Sequence, residues 1–284
     1  MAIAATDLVG YLRAEFAKAS KLRLRLLLVQ LLAAIPGALG VVIQDDKTLY
    51  YLAVAGAGLL AYWWLVRAKY QRVRAAAHTA RRASLILGGL GGTLSPDEHQ
   101  RLRQLFTVDE NEARFRIVPN YYASDLPPSP ARLGEMLEES AFYSRDIHRI
   151  SATIMGGVFV FFVAMAAMIA MVTIPYADRV TALTAARVFL ASSVFLLSSD
   201  VLGAAREHRA AADGAEDVRA RMSAAYAKGF PQNDVLLAMV DYNSAMEGAP
   251  EAVPGVYRGN EARLNQRWAE YKRDRAAARK AAEA

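Results

Sequence analysis

The sequence predicts an all-α integral membrane protein, with four transmembrane helices in two hairpins and a helical cytoplasmic domain. Three observations predict it. Four apolar stretches, residues 26–43, 49–66, 154–174 and 182–203, are each about 18–22 residues long, enough for a helix to cross a hydrocarbon core of about 30 Å. They come as two close pairs, with strongly charged chain between and after the pairs. Most of the basic residues lie on one side of every stretch.

That bias sets the expected orientation. Arg13, Lys18, Lys21, Arg23 and Arg25 precede the first stretch. Arg67, Lys69, Arg72, Arg74, Arg81 and Arg82 follow the second with no acid among them. Arg145 and Arg149 precede the third stretch, and Arg206 and Arg209 follow the fourth. The short hairpin loops hold only Lys47, beside Asp45 and Asp46, and Arg179, beside Asp178. The positive-inside rule puts both termini and the middle segment in the cytoplasm. These clusters are also expected to attract anionic lipid, at about 1 kcal/mol per basic residue near the surface. No binding of a nucleic-acid polymer is expected from them, although the net charge is +6. The absence of Cys excludes disulfides, thiol catalysis and Cys-ligated zinc, and fits soluble parts in a reducing compartment. No signal peptide is expected, because the first apolar run lies behind a charged leader.

The expected organisation follows in order. Residues 1–25 form an N-terminal amphipathic cytoplasmic helix, with Leu8, Leu12, Phe16 and Ala19 on one face. Residues 26–66 form transmembrane hairpin 1, in which Pro36 is expected to kink the first span and Ala53, Ala57 and Ala61 form a small-residue ridge for close packing. Tyr62, Trp63 and Trp64 make an interfacial belt. Residues 67–150 form a cytoplasmic helical segment. Its first helix runs to about residue 87 and breaks at Gly88-Gly89-Leu90-Gly91-Gly92. Ser95, Pro96 and Glu98 start the next helix as a capping box. Residues 108–130 read as irregular, with a short extended piece at 115–118, and Ser129 caps a helix entering the third span. Residues 151–203 form hairpin 2. Residues 204–284 form a C-terminal cytoplasmic helical segment with helices at about 204–228 and 234–246, and a last helix capped by Asn260.

No catalytic constellation emerges. The histidines His78, His99, His148 and His208 share no metal-ligand spacing, so no metal and no cofactor is expected. The glycine cluster lacks the Lys and Ser/Thr of a phosphate-binding loop. The paired Glu138 and Glu139 read as a solvated face. An enzyme is not expected.

Polar residues within the fourth stretch carry more weight, since burying them in lipid is costly. Ser192, Ser193, Ser199 and Asp200 form one stripe at helical spacing, with Arg187 off the stripe near the outer end. They fit helix–helix hydrogen bonding with snorkelling ends, or a wet seam of a pore, which requires several copies of the chain around an axis. Two aromatic and basic groups stand in the cytoplasmic segments. One is Arg114, Arg116, Tyr121 and Tyr122, beside Phe115. The other is Tyr242, Tyr257, Arg258, Arg263 and Trp268. Arg with Tyr or Trp holds a phosphate and stacks a base, and the same aromatics also suit a helical core.

At these residues the chain resembles the SMODS-associated four-transmembrane pore-forming effector family of bacterial CBASS-type anti-phage defence. The likeness rests on the overall plan, which covers nearly the whole chain, and on two short elements. Asn120-Tyr121-Tyr122-Ala123-Ser124-Asp125-Leu126-Pro127 is similar to the family's Trp-Tyr-Pro element with its downstream Leu-Pro. Asp241-Tyr242, Ala249-Pro250, Val253-Pro254, Val256-Tyr257 and Leu264-Asn265 with Trp268 are similar to its tail element. Tyr121 and Ala123 replace the usual Trp and Pro. Asn243-Ser244-Ala245-Met246 follows Tyr242 where the family carries an Arg. The resemblance implies an effector in the bacterial inner membrane. It would sense a cyclic oligonucleotide through its cytoplasmic domain and, as a homo-oligomer, permeabilise the bilayer. A membrane adaptor recruiting a cytoplasmic partner, or a small transporter, are the alternatives. The transporter reading lacks a midplane charge pair and repeat symmetry.

Overall fold

The computed structural model describes residues 3–43, 45–173, 178, 180–184 and 199–283. Every regular element among them is helical. The leader and the first apolar stretch form one helix, α1 (Ala5–Val42), which continues through Pro36. Helix α2 (Asp46–Leu90) starts where the Asp45 carboxylate accepts from the Thr48 amide at 2.8 Å, a cap that satisfies an end donor. Helix α3 (Pro96–Leu105) is capped as expected, Ser95 Oγ accepting from the Glu98 amide at 3.3 Å. The reciprocal half of the capping box is not made, since Glu98 holds Arg101 at 2.8 Å instead.

The extended piece expected at 115–118 is absent. The short helix α4 (Glu110–Arg114), capped by Asp109, ends in turns there. Helix α5 (Pro130–Thr173) starts at the Ser129 cap and runs on through the third apolar stretch. A π-helical turn (Ser199–Gly203) precedes α6 (Ala204–Tyr226), which is followed by α7 (Gln232–Gly248) and α8 (Val256–Glu283).

Two other expectations are corrected. Gly88 and Gly89 remain in α2, and the helix stops one residue later, where Gly91 and Gly92 take φ of 75° and 89°. A Cβ on Gly89 would lie 2.7 Å from Cβ of Leu133, so the glycine serves close packing of α2 on α5. Asn260 does not cap α8. It lies inside the helix and bonds back to the Val256 carbonyl at 2.8 Å.

Three helices, α1, α2 and α5, are long and apolar enough to cross a membrane, the property of a membrane protein. Most of the fourth stretch lies outside the described residues, including Arg187, Ser192 and Ser193. Ser199 and Asp200 open the π-helical turn rather than continuing an α-helix.

The chain forms two compact units. The helical unit comprises Met1–Ala19, Arg72–Ser151 and Glu207–Ala284, and the apolar unit comprises Ser20–Gln71 and Ala152–Arg206. Helices α1, α2 and α5 contribute residues to both. The main core of the helical unit packs Leu85 of α2 and Leu133, Met136 and Leu137 of α5 against Val218 and Met222 of α6 and Val235 and Met246 of α7. Each such side chain contributes about 1.5–3 kcal/mol by leaving water. The apolar face of the leader is covered by protein. Leu8 packs with Leu102, and Tyr11 stacks on Phe106 with centroids 4.1 Å apart.

The apolar unit turns large hydrophobic side chains outward. Tyr51, Trp64, Phe161 and Met171 are each at least 63% exposed. A soluble protein rarely leaves so many uncovered, and lipid is the solvent they suit. The expected ridge of Ala53, Ala57 and Ala61 is exposed rather than packed. Close approach occurs beside it, where a Cβ on Gly56 would lie 3.6 Å from Cβ of Pro36. Arg67 lies over the Trp63 ring at 4.9 Å.

Candidate functional site

The helical unit gathers tyrosines from distant parts of the chain. Tyr121 and Tyr122 meet edge to face, with centroids 4.9 Å apart, on the irregular segment before α5. The Tyr122 hydroxyl reaches Ser84 of α2 at 3.5 Å. Tyr242 of α7 is buried and bonds Ser144 of α5 at 3.0 Å. Tyr257 of α8 is half exposed and donates to Glu261 at 3.3 Å. Tyr121 lies within electrostatic reach of both Tyr242 and Tyr257. The two aromatic groups read separately from the sequence therefore share one region through these four tyrosines.

Burial sets their chemistry. It pushes the Tyr257 phenol up to about 12 and raises Tyr122 further. The hydroxyls of Tyr121, Tyr122 and Tyr257, all raised by burial, stay protonated at neutral pH and are donors.

The remaining candidates fall elsewhere. Trp268 is buried, stacked on Tyr271 at 5.5 Å with the Phe142 ring tilted against it at 5.2 Å, a packing role. Arg114 pairs on the surface with Glu110 at 2.5 Å. Arg263 holds Asn260 at 2.8 Å, Arg258 is exposed, and Arg116 is half-buried, its carbonyl accepting from Arg13 at 3.0 Å.

The basic residues that do enter the tyrosine region come from α1 and α2. Arg13 acts electrostatically on both Tyr121 and Tyr257. The Arg81 guanidinium lies 4.6 Å above the Phe16 ring and 6.0 Å from the Tyr242 ring. Its Nη1 is buried with no hydrogen-bond partner among the described residues. Its neighbours face carboxylates, although Arg74 Nε likewise makes no hydrogen bond among the described residues. Arg74 pairs with Glu251 at 3.4 Å and donates to the carbonyls of Glu247 and Ala249, and Arg82 pairs with Glu247 at 3.2 Å.

One turn before Arg81 sits His78, 6% exposed, its ring perpendicular to Phe16. Among the described residues neither of its ring nitrogens has a hydrogen-bond partner. Burial, then the nearby Arg81, Arg74 and Arg82, hold its imidazole down at about 2, so it is neutral. His148 and His208 meet with Nδ1 atoms 2.9 Å apart. Among the described residues no group of three metal-ligating side chains forms.

Sequence reading missed Arg81 and His78. It took Arg74 and Arg81 as orientation charges. Their spacing with His78 and Leu85, at i, i+4, i+7 and i+11, places them on an inward face among the buried Val73, Ala77, Ala80 and Ser84. The Glu138 carboxylate, read as solvated, is fully buried and held by Tyr271 at 2.5 Å and by Arg275.

No protein-family model, no curated protein and no solved structure matches this chain.

Proposed function

We propose that the chain is a ligand-gated membrane effector that binds its signal in the helical unit and permeabilises the bilayer. The observation that supports this reading is the continuity of α1, α2 and α5. Each carries residues of the apolar unit and of the helical unit in one unbroken helix. Arg81 and His78 lie on α2, and Arg13 on α1. A ligand that reorders these residues acts on helices whose residues continue into the apolar unit. The apolar unit then forms the leak with further copies of the chain.

In this proposal the chain has four spans in two hairpins, lies in the bacterial inner membrane, and has both termini in the cytoplasm. The signal is a cyclic oligonucleotide and the setting is CBASS-type anti-phage defence, as the resemblance of the Tyr121-Tyr122 and Tyr242 to Trp268 elements implies. The tyrosine cluster supplies ring faces and neutral hydroxyl donors that suit a base and a phosphodiester.

The experiment is a leak assay on proteoliposomes filled with a self-quenching dye. Cyclic di-AMP, cyclic GMP-AMP and cyclic tri-AMP are added in turn. Dye release with at least one is expected. Intact vesicles with all three, from protein shown to be folded and inserted, would contradict the proposal.

A further inference from the structure

We propose that Arg81 is the anchor of an anion-binding site in the helical unit, and that it takes a phosphate group. A guanidinium kept partly out of water without a carboxylate is unfavourable, because its desolvation is uncompensated. On the same helix Arg74 and Arg82 both have carboxylates, whereas Arg81 has only ring faces, Phe16 at 4.6 Å and Tyr242 at 6.0 Å. Aromatic faces hold a guanidinium in place and leave its in-plane donors open. The buried Nη1 is such a donor.

The surroundings favour a phosphate over a cation. Arginine presents a planar fork that matches phosphate oxygens. The neutral His78, with neither nitrogen engaged among the described residues, adds a donor in whichever tautomer the ligand selects. The groups whose charge acts on His78 are Arg81, Arg74, Arg82 and His148, each a cation when charged. Tyr121, a residue 41% exposed, lies within electrostatic reach of Arg81.

The inference deepens the ligand-sensing reading and rests on it for the role of the anion. The binding is measured without any leak, so either can fail alone. Thermal unfolding of the purified full chain is followed by Trp268 fluorescence in a Trp63→Phe/Trp64→Phe background. Inorganic pyrophosphate in zwitterionic detergent probes a free phosphate. Phosphatidylglycerol added to phosphatidylcholine nanodiscs probes a lipid headgroup. Sodium chloride at matched ionic strength is the control.

A rise of the midpoint on the order of 3 °C is expected in at least one arm. It should be lost in Arg81→Met and kept in Arg82→Gln. Because an unmatched charge is removed, Arg81→Met without ligand should melt at or above the wild-type midpoint. A rise with pyrophosphate assigns a soluble phosphate, and a rise with phosphatidylglycerol alone assigns a headgroup. No rise in either arm, a rise retained by Arg81→Met, or an unliganded Arg81→Met melting several degrees low, overturns the proposal.

Discussion

Phe230 lays its ring against Gly134, where no side chain fits: a Cβ on Gly134 would lie 2.6 Å from Cε1 of Phe230. Phe230 takes φ of 56° and donates its amide to the Ala225 carbonyl at 2.9 Å, ending α6. A left-handed backbone is uncommon for a bulky residue, and the ring's burial on α5 offsets its cost. Gly134→Ala should therefore destabilise the helical unit by about 1–3 kcal/mol through overpacking. Urea unfolding read by Trp268 fluorescence measures it. An unchanged midpoint would mean that α5 and the Phe230 turn separate easily.

The buried Glu15 carboxylate latches α1 to the segment before α4. It accepts from the Thr107 amide at 2.5 Å, the Thr107 hydroxyl at 2.7 Å and the Val108 amide at 3.0 Å. Lys18 closes the same latch on the Thr107 carbonyl at 2.5 Å. Glu15→Ala leaves these donors unmatched and should cost about 3 kcal/mol. Hydrogen exchange at Thr107 and Val108 should accelerate well ahead of exchange in α7. Equal acceleration everywhere would assign Glu15 to global stability instead.

His78 gives the helical unit a pH dependence with a definite sign. Its folded value, about 2, lies below the ordinary 6.5. The unfolded chain therefore binds the extra proton between those values. The stability is fully present above pH 6.5 and falls as pH drops, by up to about 1.4 kcal/mol per unit. His78→Leu should flatten that slope between pH 6.5 and 5. Chemical denaturation at several pH values is the check, and an unaltered slope would remove His78 from the account.

Glu138, fully buried, and Arg275, with its side chain 13% exposed, are an ion pair whose partners do not substitute for one another. Burial pushes the Glu138 carboxyl up, against the pull of the Tyr271 hydroxyl and Arg275. Arg275 also lies 3.9 Å from the centroid of the Tyr226 ring. Glu138→Ala leaves the arginine with only the longer contact to Glu135 at 3.5 Å and should cost about 3–5 kcal/mol. The double variant Glu138→Leu/Arg275→Met should recover most of that. Failure to recover in denaturant unfolding would show that the pair specifies the docking of α8.

What the sequence makes legible is local. Ser95 and Ser129 start helices in the structure because a cap is decided within four residues. The long apolar runs of α1, α2 and α5 read as spans because composition alone decides that. Asn260 misleads, since an Asn side chain bonds back along a helix as readily as it caps one, and Gly255, at φ 88°, sets the start of α8 instead. Gly88 and Gly89 mislead because their reason is Leu133, far away in sequence. The tyrosines of the site are visible as residue types, but their meeting depends on packing among α2, α5, α7 and α8. Arg81 looks like one more orientation charge until Phe16 and Tyr242 are placed beside it. The His148–His208 contact spans 60 residues and has no spacing signature.

The central claim is that a ligand bound by the helical unit opens the membrane. The most direct measurement is membrane potential in living bacteria that express the chain, read with a voltage-sensitive dye while a cyclic-oligonucleotide synthase is switched on or left silent. The account predicts normal polarisation and growth with the synthase silent, and depolarisation with arrested growth once it is induced. Unchanged polarisation and growth in both states, with the protein present in the membrane and the nucleotide present in the cell, would contradict it.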